Sequence, residues 1–184
     1  MMDFYLDSSQ DFYAAGRIEY AAEMSTRGIA AMHRGDYVAA FKLLETSVKA
    51  FPHPAVMTSA GVCLLLTLRP ADAVFYFAAS VGMSQSKARL RPMLLLAKAL
   101  LLAQEKVAGI SILKEAMELH SIWLTGLSVN KKSKEVIEVN DLGRFHEMID
   151  YLLQEIAKES DSADSQRFED TSVSMSRLMD IYEV

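Results

Sequence analysis

What the chain lacks narrows its class before any motif is sought. Four prolines and eight glycines punctuate 184 residues, too few for the many tight turns of an all-β sandwich. Ala, Leu and Met are abundant instead, which favours helices. A single cysteine, Cys63, rules out a disulfide framework, and its setting in the apolar stretch GVCLLLTL gives it the part of a small buried hydrophobe. No apolar run is long enough to cross a bilayer. The longest, Met93 to Ala103, is interrupted by Lys98 and falls well short of the roughly 20 residues a spanning helix needs. The amino terminus, MMDFYLDSSQD, carries acids where a signal peptide needs bases, so a cytoplasmic protein without membrane insertion is expected.

There is no excess of bases either. The net charge is −5, which argues against nucleic acid as a partner. The charge is also uneven. Residues 1–19 carry net −3 and residues 161–184 net −4, whereas the stretch from Arg34 to Glu135 is net +6. A basic middle between acidic ends marks the ends as separate elements.

Chemistry-bearing patterns are missing as well. The sequence contains no G-x-G-x-x-G, no G-x-x-x-x-G-K-[ST] and no H-E-x-x-H. His33, His53, His120 and His146 have no ligand spacing to one another or to Cys63, so no metal, no cofactor and no enzymatic activity is expected. Arg34-Gly35-Asp36 spells a cell-adhesion tripeptide, but with no secretory signal it reads as a turn, with Asp36 capping the helix that follows. Lys131, Lys132 and Lys134 read as a solvated loop.

What is present is a repeat. Counted from Ala21, Gly28 falls at position 8, Gly35 at 15, Ala40 at 20, Leu44 at 24, Ser47 at 27 and Pro52 at 32. Counted from Pro54, a second copy places Gly61 at 8, Leu64 at 11, Ala73 at 20, Phe77 at 24 and Ser80 at 27. Two antiparallel helices joined by a tight turn approach closely only where facing residues are small, and bulky neighbours fill the gaps. A weaker third copy puts Ala97 at 8, Gly109 at 20, Leu113 at 24 and Ala116 at 27, although a strict 34-residue step would begin it at Ala88. The repeat is expected to stop after Leu119.

The small-small-large-small code is that of the tetratricopeptide (TPR) repeat. The fold expected is all-α: a TPR-like helical solenoid of about three helix-turn-helix repeats with a C-terminal capping helix. The chain divides into an N-terminal arm or helix (1–20), the repeat domain (21–127), a connector and capping helix (128–159), and a flexible linker with a short amphipathic tail (160–184). Asn140 is the expected N-cap of the capping helix, and Leu142, Phe145, Met148, Ile149, Leu152, Leu153 and Ile156 lie on one face at helical spacing. Phe4, Tyr5, Leu6, Phe12 and Tyr13 give the arm an apolar side.

The stretches AAMHRGDYVAAFKLLETSV, GVCLLLTLRPADAVFYFAASVGM and LLLAKALLLAQEKVAGISILKEAMEL, between an N-terminal arm and a C-terminal helix, resemble the class II chaperones of type III secretion systems, which hold translocator proteins before export. The resemblance implies a groove lined by the first helix of each repeat that takes an extended hydrophobic segment of a protein partner. Carried over by repeat position, the groove residues are Ala22, Ser25, Ile29 and Met32, then Ala55, Thr58, Val62 and Leu65, then Arg91, Leu94, Lys98 and Leu101. These are small or apolar residues with two bases at one end, suited to an apolar peptide bearing a carboxylate. The competing reading makes Val62, Leu65 and Leu101 core. Met32 and Met57 read either as adaptable groove residues or as core filling. A TPR scaffold or assembly subunit without chaperone activity is the alternative function. The tail 168–184, apolar and net −3, is expected to dock back on the basic body, its rivals being a disordered tail and a tail that pairs with a second copy in a homodimer.

Overall fold

The computed structural model describes residues 8–129, 147 and 149–154. They are helical throughout, without a strand, in the order α1 (Ser8–His33), α2 (Tyr37–Ala50), α3 (Pro54–Leu66), α4 (Pro70–Met83), α5 (Leu90–Leu102) and α6 (Lys106–Val129), with a short 3₁₀ turn at Ser86–Arg89. Residues 149–154, here α7, are helical too. Each helix from α1 to α6 packs on its sequence neighbours, and the first helices α1, α3 and α5 also touch in a row. The architecture is a helical repeat solenoid of three pairs.

The repeats share their terminating turns bond for bond. After α1, Gly35 N–H donates to Met32 O (2.9 Å) and Asp36 N–H to Ala31 O (3.0 Å). After α3, Leu68 N–H donates to Leu65 O (3.0 Å) and Arg69 N–H to Leu64 O (2.9 Å). After α5, Gln104 N–H donates to Leu101 O (3.1 Å) and Glu105 N–H to Leu100 O (2.8 Å). This pairing satisfies carbonyls that the helix end leaves open, and it requires a left-handed residue. That residue is Gly35 at φ 78°, Leu68 at φ 57° and Gln104 at φ 67°. Only the first copy uses the residue type that adopts this conformation without a Cβ clash. Asp36 then caps α2 by accepting from Ala39 N–H at 3.0 Å, so the adhesion-like tripeptide serves as a turn.

The helix crossings follow the small-large code. A Cβ on Gly28 would come 2.7 Å from Leu44 Cγ, and one on Gly61 would come 2.6 Å from the Phe77 ring. Positions 20, 24 and 27 are buried in all three pairs: Ala40, Leu44 and Ser47; Ala73, Phe77 and Ser80; Gly109, Leu113 and Ala116. The serines add a repeated bond. Ser47 Oγ donates to Ala21 O at 2.7 Å, and Ser80 Oγ lies 2.9 Å from Pro54 O, in both cases position 27 reaching position 1. Ala116 has no hydroxyl to make it.

The third pair does not follow at the same step. Positions 8, 20, 24 and 27 advance by 33 residues from the first pair to the second and by 36 from the second to the third. The difference lies in the links. Only 51–53 join α2 to α3, where extended His53 precedes Pro54, as the residue before a proline prefers. Residues 84–89 join α4 to α5 and include the 3₁₀ turn.

Two helices run further than the sequence reading had them. The arm and the first repeat helix are one continuous α1, because Gly16 alone costs only about 1 kcal/mol and stops nothing. Arg17 on this extension donates from Nε and Nη2 to Ala50 O at 3.1 and 2.8 Å, satisfying a carbonyl at the end of α2. α6 does not stop at Leu119 but continues to Val129, since HSIWLTGLSV holds no proline, and Gly126 within it costs the helix only about 1 kcal/mol. In α7, Ile149 and Leu152 are buried as expected, but Leu153 is exposed. Leu142, Phe145, Met148, Ile156, the Asn140 cap, the 131–134 lysines, Phe4, Tyr5, Leu6 and the tail 168–184 lie outside the described residues, as do the side chains of Phe12 and Tyr13.

Candidate functional site

Carried onto the structure, the twelve groove positions show a gradient along the row of first helices. Position 2 is exposed in all three copies: Ala22, Ala55 and Arg91. Position 9 closes progressively: Ile29 is 39% exposed, Val62 is half-buried, and Lys98 is only 3% exposed. Position 5 runs from half-buried Ser25 to buried Thr58 and buried Leu94, and position 12 from half-buried Met32 to buried Leu65 and Leu101. Among the described residues the row is open at the first repeat and covered at the third.

Each buried member has an identifiable reason. Thr58 Oγ1 sits 2.8 Å from Ser80 Oγ and 3.0 Å from Pro54 O, which ties its hydroxyl to the position 27 to position 1 bond. Leu65, Leu94 and Leu101 belong to one apolar cluster with Phe77, Leu113, Ile149 and Leu152. Leu101 also lies against Gly109 across the α5–α6 crossing. Lys98 Nζ stands 5.1 Å from the centroid of the Tyr151 ring, a cation on a π face that offsets part of the cost of taking the ammonium from water. Tyr151 is 53 positions further along the sequence, and no local pattern in the sequence announces the pair. Met57 is buried, so of the two candidate methionines only Met32 reaches the surface.

The open part of the row has little charge. α3 contains no charged residue and α5 contains only the bases Arg91 and Lys98. Along α3 an apolar segment therefore buries methyl and methylene groups without desolvating a carboxylate, whereas on α1 exposed Glu23, paired with Arg27 at 3.4 Å, adjoins Ala22.

A second cluster lies on the second helices. Phe41 and Tyr76 meet edge to face at 5.6 Å, Tyr76 and Phe75 at 5.4 Å, and the Arg69 guanidinium stands 5.7 Å from the Phe41 centroid. Arg69 also pairs with Asp72 at 2.6 Å. Burial first, and then the negative charge of Glu45, hold the Tyr76 phenol above its ordinary range. Phe75 is nonetheless 67% exposed. The sequence signal for this patch was the placement of aromatics on second helices rather than first.

Cys63 is fully buried with Ala31, Ala40, Leu44 and Ala60, and burial pushes its thiol up to about 12. It stays protonated, unlike a nucleophile, which needs the thiolate. Among the described residues no group of three His, Cys, Asp or Glu could hold a metal ion, and no helix is long and apolar enough to cross a membrane. Comparison of the chain with protein-family models, with curated proteins and with solved structures gives no match.

Proposed function

We propose that the protein is a TPR-like interaction module that holds an extended hydrophobic segment of a client protein along α1 and α3, working as a chaperone or adaptor of a secretion system in the cytoplasm. The observation that carries this reading is the set of uncharged, partly open residues Ile29, Met32 and Val62 with the small residues Ala22, Ser25 and Ala55 on the same first helices. A set of this kind rewards apolar burial and leaves backbone groups of an extended peptide free to bond water or neighbouring side chains. Resemblance to the class II chaperones of type III secretion supports the choice of client, a protein held before export.

A second reading is favoured by the other cluster. A scaffold subunit that docks folded neighbours would use the second-helix side, where Phe75 and Val107, 86% exposed, stand out from the surface. Copurification from the native host with two variants separates the readings. Under the chaperone reading, Val62→Glu loses a poorly soluble hydrophobic client and Phe75→Glu keeps it. If a folded Val62→Glu protein retains its partner while Phe75→Glu loses it, the scaffold reading replaces the first.

A further inference from the structure

At equivalent positions of the three second helices the outward face changes character. α2 carries Val38, Lys42, Glu45 and Lys49 at repeat positions 18, 22, 25 and 29, and α6 carries Val107, Ser111, Lys114 and Glu118. α4 carries Ala71, Phe75, Ala78 and Gly82 there, all exposed and none charged. Steps of four, three and four keep these residues on one face of the helix. Phe75 stands in the middle of it, 67% exposed. Gly82 serves no contact within the chain: a Cβ there would meet no atom within 4 Å, whereas at Gly28, Gly61 and Gly109 it would strike a neighbour. A helix that drops charge from its outermost face, and accepts a glycine that weakens it, is shaped for something outside the chain.

That face is complementary to itself. Set antiparallel on a second copy with Phe75 opposite Ala78, α4 also brings Ala71 opposite Gly82, so each larger residue meets a smaller one. The same two-fold axis keeps α2, which adjoins α4 through Phe41 and Tyr76, opposite the α2 of the copy. Because α2 and α4 share repeat positions, Lys42 then faces Glu45 of the copy, and Glu45 faces its Lys42. Glu45 is held in place by Lys49 of its own chain at 3.0 Å, and a carboxylate accepts from two lysines. Neighbouring registers lose this complementarity. Centring the axis on Phe75 sets Lys42 against Lys42, and centring it on Ala78 sets Glu45 against Glu45, both like-charge contacts that oppose association.

We propose that this face is the contact of a homodimer, in which the α4 helices of two copies pack antiparallel with Phe75 over Ala78 and with Lys42 paired to Glu45 on the flanking α2 helices. From Ala71 to Gly82 the face is about 17 Å long and one helix wide. That is well short of the roughly 800 Å² per partner of a stable interface, so the α2 flanks are needed and the expected affinity is micromolar. The contact uses helices other than those of Ile29, Met32 and Val62, so it does not depend on client binding there.

Sedimentation velocity of the full chain from about 1 to about 200 µM tests this. The unaltered protein is expected to pass reversibly from monomer to dimer. Phe75→Glu is expected to weaken dimerisation at least about tenfold, since it sets a carboxylate against apolar atoms. Val62→Glu is expected to dimerise as the unaltered chain does, which keeps loss of client and loss of dimer distinguishable. At low salt Lys42→Glu and Glu45→Lys are each expected to weaken the dimer about three- to tenfold, because each alone sets like charges opposite one another. An equimolar mixture of these two variants should recover the affinity of the unaltered chain, since both contacts of the mixed dimer again join opposite charges. Circular dichroism melting reports the fold of each variant, and Phe75→Ser takes the place of Phe75→Glu if the latter melts early.

Three results overturn the proposal: a chain that stays monomeric throughout the range; a dimer that Phe75→Glu and Phe75→Ser leave intact, which puts the contact on another face; or charge variants that dimerise as well alone as mixed, which denies the register. A monomeric chain that loses a folded, copurified neighbour on Phe75→Glu assigns the face to the scaffold reading instead.

Discussion

α3 and α5 hold the same place in successive repeats and have the same length of 13 residues, yet they are covered to different degrees. α3 keeps Ala55 exposed and Pro54, Val56, Ser59, Val62 and Leu66 half-open, while α5 exposes Arg91 and keeps only Leu100 and Leu102 half-open, both at its end. Composition points the other way. α3 has no charged residue, and the more buried helix is the one with two bases. Neighbours therefore decide closure. α5 is flanked by α3, α4 and α6 and takes α7 through Tyr151 and Lys98, whereas on the equivalent positions of α1 and α3 Ile29 stays exposed and Met32 and Val62 only half-buried.

The comparison is sharpened most by truncating equivalent rows. Leu94→Ala on α5 is expected to cost about 3–4 kcal/mol, because the side chain is fully enclosed and leaves a cavity. Ile29→Ala on α1 should cost under about 1 kcal/mol, since two-fifths of the residue is already in water. Chemical denaturation of both variants checks the difference, and equal losses would mean that the row is covered evenly. Gly61→Leu comes next, at about 1–3 kcal/mol, since even its Cβ would be forced against the Phe77 ring. Circular dichroism melting should register it, and an unchanged midpoint would remove this crossing from the repeat code.

Smaller effects test how far the three pairs are alike. Ser47→Ala deprives the Ala21 carbonyl of its buried donor and should cost about 1 kcal/mol. Ala116 marks where the third pair has already done without that bond. Smallest is Leu68→Gly, expected to stabilise by about 0.5–1 kcal/mol, since Leu68 is left-handed and 64% exposed, so relief of the Cβ clash outweighs lost burial. Gly35→Ala should move stability the opposite way. A destabilised Leu68→Gly would show that its side chain, not its backbone, matters.

Much of this fold was legible in the sequence because the code is local. Gly28 with Leu44, Gly61 with Phe77, and the Arg34-Gly35-Asp36 turn all follow from small residues, bulky residues and caps at fixed spacing. Helix length was not legible in the same way. Nothing stops α1 at its arm or α6 at Leu119, and the absence of a breaker is a weak signal. The candidate site was read only as a list of positions. Which of them stay open depends on a helix arriving from more than 40 residues beyond Leu101, and no period within the repeats encodes that arrival. The same limit hid Leu153, whose exposure is set by how α7 is rotated on α5.

The enclosure of α5 also imposes an order on the making of the chain. Leu152 follows Leu102 by 50 residues, so at about 5–20 residues per second the ribosome adds the covering helix roughly 3–10 seconds after α5 is complete. At the start of that interval only α3 and α4 flank α5; α6 joins them within it, and the leucine-rich side that Ile149 and Leu152 cover stays bare until α7 is made. A chain stalled within this window is the species most exposed to aggregation. The vulnerable moment of this protein therefore falls late in translation, set by where its cover is encoded.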